Sequence, residues 1–295
     1  MNWWKELKGK IKFKEPLKKH TAFKIGGACR YFIEPKGRED LKLLLNALKR
    51  YNISFLVIGA GSNILAADKG FKGAVIRLAS PDFKKISFKG NFAEVGAGCL
   101  LAQLIVTARN NGFSGQEFLT GIPGTVGGAL IMNAGAGKEH KGFGDLVENV
   151  TVMDYNGSIK AMAKKGLKFG YRSSNLSKYI ILSTRIKLIK KSKLEIQNKI
   201  KGYLRCRKKT QDANWASAGC VFKNPPGISA GSLIDLCGLK GKKIGGACIS
   251  DRHANFIINQ AKAKASDVLK LIALAKRKVK DKFNIDLEPE IKIWA

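Results

Sequence analysis

Signals for metal ions and for disulfide bonds are scarce in this sequence of 295 residues. It contains only three histidines, and its six cysteines are widely spaced: Cys29, Cys99, Cys206, Cys220, Cys237 and Cys248. Because no C-x-x-C pair occurs, neither a zinc site nor a thioredoxin-like motif is indicated. We expect no metal site and reduced thiols, as in a cytosolic protein.

Long apolar runs are also missing. No apolar stretch approaches the roughly 18 to 20 residues that span a bilayer, and the first residues, MNWWKELKGKIKFK, lack the apolar core of a signal peptide. The hydrophobic share of 45% is that of an ordinary globular protein. We therefore expect a soluble, cytoplasmic protein without a membrane partner, and a monomer.

Acidic residues are few, 22 against 54 Lys and Arg, which gives a formal net charge of +32. Lysine supplies 43 of these positive residues and arginine 11, and both are spread along the chain. Proteins that bind nucleic acid more often concentrate arginine and aromatic residues in one stripe. The charge predicts electrostatic steering of anionic ligands, and it leaves a specific nucleic-acid-binding protein as a remote alternative.

Charge disappears in one glycine-rich segment, FLTGIPGTVGGALIMNAGA at residues 118–136, and a second glycine turn, GAGSN, lies upstream at residues 59–63. Glycine lets ligands approach backbone N–H groups, and such turns form concave anion sites suited to a diphosphate. The third glycine of a Rossmann fingerprint would fall on Ile64, so that fold is excluded. The predicted cofactor contacts are Gly59, Ala60, Gly61, Ser62, Asn63, Gly121, Ile122, Gly124, Thr125, Gly128, Asn133, Ala134 and Gly135.

Hydrophobic periodicity and turn residues predict a mixture of helices and strands. One helix carries Leu41, Leu44, Leu45 and Leu48 and is capped by Asp40, and another is capped by Ser266 or Asp267. Asn156-Gly157 predicts a hairpin with a type I′ turn. The other expected elements are strands at 54–59, 73–78, 92–95, 150–154, 158–162 and 179–189, and helices at 100–110, 193–211 and 266–283.

Five segments in this order resemble the UDP-N-acetylenolpyruvoylglucosamine reductase (MurB) family of peptidoglycan synthesis. They are IGAGSNIL (58–65), GIPGTVGGALIMNAGA (121–136), FGYR (169–172), SAGCVFKNP (217–225) and LEPEI (287–291). The resemblance runs from about His20 to the C-terminus. The absence of an insertion after Arg172 makes the chain similar to the shorter, type II members.

The resemblance implies an α+β fold with an FAD-binding module of the PCMH/vanillyl-alcohol-oxidase type. Residues 1–70 and 71–190 would form its two subdomains, and residues 191–295 a substrate-binding domain. It also implies noncovalent FAD, NADPH as hydride donor and a UDP-sugar substrate. The reaction would reduce an enolpyruvyl vinyl ether, which requires a group that stabilises negative charge and an acid that delivers a proton.

Three residues match the catalytic positions of the family. Arg172 matches the arginine that contacts the enolpyruvyl carboxylate, where its planar fork suits a bidentate contact. Cys220 occupies the position of the usual general-acid serine, and a thiol is a stronger acid than an alcohol. Glu290 matches the catalytic glutamate; it is either protonated or orients Arg172 or a water, and the sequence leaves these alternatives open.

Other residues have expected roles around the substrate. Lys223 and Asn224 are expected to bind the substrate phosphate or the enolate region, and Tyr171 either packs or lines the site. Arg207 and Gln211 resemble an approach to the site in relatives, whereas His253 is expected to be structural. The alternative enzyme is another flavin oxidase or dehydrogenase of the same fold, which would not need residues 220–224.

Overall fold

The computed structural model describes residues 3–135, 142–210 and 214–294, in an α+β arrangement. The chain divides into two compact units, each built from three separate segments. Unit 1 comprises Met1–Phe13, Tyr31–Ala60 and Gly73–Cys206, and unit 2 comprises Lys14–Arg30, Gly61–Lys72 and Arg207–Ala295. The division expected at residues 70 and 190 stays a prediction.

The elements alternate along the chain. The α-helices are α1 (Arg38–Arg50), α2 (Leu101–Asn110), α3 (Val126–Ile131), α4 (Lys193–Thr210), α5 (Ala230–Leu236) and α6 (Ala265–Phe283). The strands are β1 (Lys10–Pro16), β2 (Ala28–Glu34), β3 (Phe55–Ile58), β4 (Ile64–Ala66), β5 (Phe71–Arg77), β6 (Ile86–Lys89), β7 (Phe92–Gly96), β8 (Phe113–Ser114), β9 (Val147–Met153), β10 (Ile159–Ala163), β11 (Phe169–Gly170), β12 (Ser173–Ser174), β13 (Ile180–Lys187), β14 (Ile189–Lys190), β15 (Ala216–Cys220), β16 (Lys243–Ile244), β17 (Ala247–Ile249), β18 (Phe256–Asn259) and β19 (Lys292–Trp294).

Two sheets lie largely in unit 1. One has the order β1–β2–β5–β3, with β3 and β5 parallel. The other is antiparallel and has the order β10–β9–β13–β7–β6. Helix α1 buries the predicted leucine stripe, and α2 buries Leu101, Leu104, Ile105 and Ala108 in the same hydrophobic core.

Unit 2 has its own core beneath an antiparallel sheet of order β15–β18–β17–β16. Helix α6 packs on β16 and β17 and buries the apolar face that its periodicity predicts. Strand β19 lies parallel to β4, with Lys292 opposite Ile64 and Trp294 opposite Ala66. A Rossmann fold would begin a helix where this chain has the short strand β4. The prediction that this is not a Rossmann fold therefore agrees with the structure.

The predicted cap of α1 is wrong. Gly37 is the N-cap, and Asp40 lies buried in the first turn. Its carboxylate accepts hydrogen bonds from the backbone N–H groups of Lys8 and Lys36, both at 2.8 Å. A carboxylate in the first turn also suits the positive end of the helix dipole. Asp40 therefore ties two loops to α1 instead of beginning it.

The predicted cap of α6 is also wrong, because the helix begins one residue earlier, at Ala265, with Lys264 as the N-cap. Asp267 accepts from the Lys264 N–H at 3.0 Å. The capping group comes from a distant part of the chain: Asp68 accepts from the backbone N–H groups of Ala265 at 2.7 Å and Ser266 at 3.1 Å.

The hairpin of β9 and β10 is confirmed, but its turn is not type I′. Gly157 has φ of +85°, whereas Asn156 does not have a positive φ, and a type I′ turn needs both. The Asp154 carboxylate instead accepts from the N–H groups of Asn156 and Ser158, each at 2.9 Å. Asp154 thus supports a longer loop that sequence spacing alone does not reveal.

Within the described residues, we find no helix with both the length and the apolar character that crossing a membrane requires.

Replacement of Asp68 by alanine should destabilise the protein by about 1 kcal/mol, the usual value of a helix N-cap. The measurement is urea unfolding followed by circular dichroism. Asp286→Ala is the control, because Asp286 makes an exposed ion pair with Lys280 and such pairs contribute little. Equal losses in the two variants would contradict the capping role.

Candidate active site

A cavity of about 510 Å³ opens within unit 1, between strands of its two sheets. That volume lies within the range of small-molecule sites. Strand β3 and the residues after it form one wall, and the start of β13 forms another. The lining is mostly apolar, with Arg77 and Lys84 as its cationic side chains among the described residues. Such a site suits a ligand with both rings and negative charge.

One end of the cavity is built from backbone that approaches closely. Four of the predicted cofactor residues line it: Gly59, Ala60, Thr125 and Gly128. A Cβ on Gly59 would lie 2.5 Å from the Thr125 hydroxyl oxygen, which caps α3 by accepting from the Gly128 N–H at 3.3 Å. Any other residue at position 59 would force the Thr125 side chain to shift.

The other end of the cavity is aromatic, and its residues were not predicted from the sequence. Phe55 and Tyr155 meet edge to face with ring centroids 5.2 Å apart, and Tyr179 also lines this end. Lys160 donates to the Tyr179 hydroxyl at 2.8 Å, and this hydrogen bond lowers the pKa of Tyr179. Tyr155 lies in the β9–β10 loop. An aromatic residue in a loop was the only sequence signal that could have indicated this end of the cavity.

Gly127 and Ile131 of the glycine-rich segment also line the cavity, and other parts of the segment support its walls. Residues 124–127 run beside residues 97–101, through hydrogen bonds from Leu101 N to Gly124 O and from Gly127 N to Ala97 O. Gly121 has φ of +76°, a conformation that favours glycine. The remaining predicted contacts of this segment, outside the cavity lining, are Gly121, Ile122, Gly124, Asn133, Ala134 and Gly135.

Arg172 lies in the β11–β12 hairpin of unit 1, and this hairpin is fixed to the end of the glycine-rich segment. Its guanidinium donates to the Gly135 carbonyl at 3.1 Å and lies 5.4 Å from the ring centre of Tyr171, which is half-exposed. Arg172 has φ of +52°. Non-glycine residues adopt that region at a cost and often at functional sites.

Asn133 holds this hairpin in place. Its side-chain amide donates to the Gly170 carbonyl at 3.0 Å, and its side-chain oxygen accepts from the Gly144 N–H at 2.9 Å. The residue itself has φ of +42°, which asparagine tolerates better than most residues. The side chain predicted to contact a cofactor thus has backbone partners on both sides.

In unit 2, Cys220 lies at a β-bulge. Ser217 is opposite Ile258 and Cys220 is opposite Phe256, so two residues of β15, Ala218 and Gly219, stand opposite one of β18, with Gly219 at φ of +75°. A bulge re-aims the side chain that follows it. Cys220 is half-buried.

The segment after Cys220 brings in Glu290. The N–H of Glu290 donates to Val221 O at 2.8 Å, and the N–H of Lys223 donates to Glu288 O at 2.9 Å. Asn63 also holds Glu290, since its side-chain amide donates to the Glu290 carbonyl at 3.2 Å. Cys220 and Glu290 are therefore neighbours in unit 2 through short backbone connections.

The remaining predicted residues of unit 2 have protein partners as well. Lys223 forms an ion pair with Glu288, 2.6 Å between Nζ and Oε1, and the Asn224 side chain accepts from the Ala230 N–H at 3.0 Å. His253 accepts from the Asn255 N–H at 3.3 Å and contacts the Phe256 ring, and burial lowers its pKa. This environment fits the structural role expected of His253.

The other predicted residues lie elsewhere in the chain. Gly61, Ser62 and Asn63 belong to unit 2, where Gly61 has φ of +67° and accepts from the Ala22 N–H at 3.0 Å. Arg207 lies in the last turns of α4. Gln211 lies outside the described residues.

Comparison with known proteins gives the family. Residues 29–163 match the profile of an FAD binding domain, and residues 210–294 match that of the C-terminal domain of UDP-N-acetylenolpyruvoylglucosamine reductase. The reductase of that name from Caldanaerobacter subterraneus is 41% identical, with 97% of this chain and 94% of the relative covered. The chain belongs to the UDP-N-acetylenolpyruvoylglucosamine reductase family.

Further comparisons agree with this membership. The reductase of the same name from Clostridioides difficile is 41% identical over 96% of this chain and 93% of its own length. The crystal structure of UDP-N-acetylenolpyruvylglucosamine reductase (MurB) from Thermus caldophilus has a TM-score of 0.83 and 39% identity, and the match covers 98% of this chain and 100% of that one. The α+β class and the FAD-binding module expected from the sequence are thereby confirmed. The chain is a flavin-dependent reductase of peptidoglycan precursor synthesis that uses FAD and NADPH.

Asn133→Gly should loosen the hairpin that carries Arg172. Glycine keeps the positive φ but removes both side-chain hydrogen bonds, so amide exchange across residues 169–174 should accelerate on the order of tenfold, as expected for about 1 kcal/mol per bond. Hydrogen–deuterium exchange with mass spectrometry measures this. The control is Asn52→Gly, at another asparagine of positive φ in unit 1, which should leave exchange in residues 169–174 unchanged. Unchanged exchange in Asn133→Gly would refute the role of Asn133 in holding the hairpin.

Proposed function

We propose that this chain reduces UDP-N-acetylglucosamine enolpyruvate to UDP-N-acetylmuramate, with Arg172, Cys220 and Glu290 acting on the substrate. The observation that carries the assignment in unit 2 is the backbone pairing of residues 221–223 with residues 288–290. This pairing fixes the backbone next to Cys220, the candidate acid, relative to the backbone of Glu290. An unrelated flavin oxidase of the same fold would have no need of that arrangement.

The cavity of unit 1 fits FAD on three grounds. The glycine end offers backbone close to a diphosphate, and the Gly59 position would be filled by a Cβ. Arg77 and Lys84 supply positive charge, and Phe55, Tyr155 and Tyr179 offer ring surfaces. The residues that would hold FAD in this unit are Gly59, Ala60, Thr125 and Gly128. Gly61, Ser62, Asn63 and the remainder of residues 121–135 stay predicted contacts.

When bound and reduced by NADPH, FAD supplies a hydride to the terminal alkene carbon of the substrate. Negative charge then develops on the carbon beside the carboxylate. The Arg172 guanidinium binds that carboxylate through two parallel hydrogen bonds and disperses the charge. Because Gly135 and Tyr171 already hold the Arg172 side chain, it loses less conformational freedom when the substrate binds.

Cys220 completes the reduction by donating its thiol proton to the carbon beside the carboxylate, and the thiolate regains a proton from solvent. Glu290 orients the groups around this proton transfer, and either of its two protonation states is compatible with that role. Lys223 and Asn224 bind the substrate phosphate. To do so, Lys223 leaves its ion pair with the exposed Glu288 and pairs with the phosphate instead. Tyr171 lines the substrate site. Monomeric state and cytoplasmic location are proposed with this function.

Gly59→Ala should weaken FAD binding at least tenfold, because the new methyl group would lie 2.5 Å from the Thr125 hydroxyl. Flavin fluorescence during titration of the apoprotein gives the dissociation constant. Gly202→Ala is the control, since nothing lies within 4 Å of a Cβ there. A folded Gly59→Ala protein with unchanged FAD affinity would contradict the proposal that this cavity binds FAD.

Cys220→Ala should abolish substrate turnover while NADPH still reduces the flavin, because general acids contribute roughly 10² to 10⁴ in rate. Stopped-flow flavin reoxidation by the enolpyruvyl sugar nucleotide, compared with reoxidation by oxygen, measures this and also separates a reductase from an oxidase. Cys237→Ala is the control at another half-buried cysteine of unit 2.

Cys220→Ser should keep turnover and extend it to higher pH. An ordinary thiol ionises near pH 8.5 and a thiolate has no proton to donate, so the parent protein loses activity as pH rises whereas the serine variant does not. Normal turnover of the substrate by Cys220→Ala would overturn the assignment of the acid.

A further inference from the structure

Asn255 is a buried residue of unit 2 for which the proposed chemistry has no use. It is 2% exposed. Its side-chain oxygen accepts from the Phe222 N–H at 2.9 Å, and its side-chain amide donates to the Phe222 carbonyl at 2.8 Å. A single side chain thus makes both hydrogen bonds that a neighbouring strand would make to Phe222.

The backbone of Asn255 is fixed at the same time. Its carbonyl accepts from the Val221 N–H at 2.8 Å, and its N–H donates to the His253 ring nitrogen Nδ1 at 3.3 Å. The Ser250 hydroxyl in turn accepts from the His253 N–H at 3.3 Å. The amide of Asn255 is therefore held by the turn that precedes β18 and has little freedom to follow a shift of Phe222.

This contact lies where the sheet itself stops defining the chain. Pairing between β15 and β18 is interrupted by the bulge before Cys220, and regular pairing does not continue past Phe256. Beyond the bulge, Asn255 takes the place of a strand on one edge of Phe222. The opposite edge of the same segment holds residues 288–290. Asn255 and residues 288–290 thus hold opposite edges of the short segment that follows Cys220.

We propose that Asn255 is a positioning residue for proton delivery, which it serves by fixing Cys220 relative to Glu290 through the backbone of Phe222. This rests on the proposed function of Cys220. It predicts that damage to the Asn255 amide affects the half-reaction with the enolpyruvyl substrate and spares the half-reaction with NADPH. A residue that only stabilised the fold would affect neither selectively.

The test is Asn255→Asp in the FAD-loaded protein. The substitution preserves size and the acceptor for the Phe222 N–H, but it places an acceptor opposite the Phe222 carbonyl. A displacement of about 1 Å in a catalytic group costs on the order of 10²-fold in rate. We expect flavin reoxidation by the substrate to slow by about that factor, with flavin reduction by NADPH within twofold of the parent protein.

Asn259→Asp is a matched control. Asn259 ends β18, the strand that Asn255 precedes. Its side chain likewise makes two hydrogen bonds to backbone, one as donor to the Phe23 carbonyl and one as acceptor from the Ala263 N–H, both at 2.9 Å. The same chemical change there should lower stability in urea comparably. Reoxidation by the substrate should stay within twofold, because neither partner belongs to the Cys220 segment.

A second readout follows Cys220 itself, through the rate of its alkylation by iodoacetamide measured on the peptide that contains it. This rate should change in Asn255→Asp and not in Asn259→Asp. If Asn255→Asp does not fold, Asn255→Ala, which introduces no charge, serves in its place. Equal effects of the Asn255 and Asn259 variants, or no selective loss in the substrate half-reaction, would overturn the proposal. A parent protein that the substrate does not reoxidise would refute the proposed function instead.

Discussion

Unit 2 depends on one short segment, residues 221–223, whose backbone is hydrogen-bonded along both edges. On one edge Asn255 takes the place of a strand, and on the other edge lie residues 288–290. Backbone groups buried without partners are costly, so this segment cannot slide without breaking bonds on both edges together. The bulge at Gly219 separates it from the regular sheet. Precise placement of Cys220 and Glu290 is therefore a property of local hydrogen bonding more than of the sheet.

Unit 1 achieves a comparable effect with glycine. The segment from Gly124 to Gly135 passes the cavity at its N-terminal part and reaches the Arg172 hairpin at its C-terminal part. Close backbone approach at Gly59 shapes one end of the cavity, and Asn133 and Gly135 hold the hairpin at the other end of the segment. A single stretch of chain thus links the wall of the cofactor cavity to the candidate carboxylate-binding arginine within this unit.

Periodicity predicted the elements well because burial of apolar faces determines them; α1, α2 and α6 all bury the expected residues. Caps and turns were predicted less well. The cap of α6 comes from Asp68, almost two hundred residues earlier, and no local pattern contains that information. The glycine end of the cavity was found from sequence because glycine turns are local signals. The aromatic end of the cavity and the hydrogen bonds of Asn255 to Phe222 could not be predicted in this way, because only the fold brings these side chains to their partners.

The interleaving of the two units bears on how the chain is made. Asn63 and Glu290, which are hydrogen-bonded, lie 227 residues apart, and β4 pairs with β19. At synthesis rates of about 5 to 20 residues per second, residues 61–72 leave the ribosome roughly ten to fifty seconds before their partners exist. During that interval β4 has an unpaired edge, which is a hazard for association with other chains. The dense lysine content of this protein, which repels like copies, suits a nascent chain with such a delay.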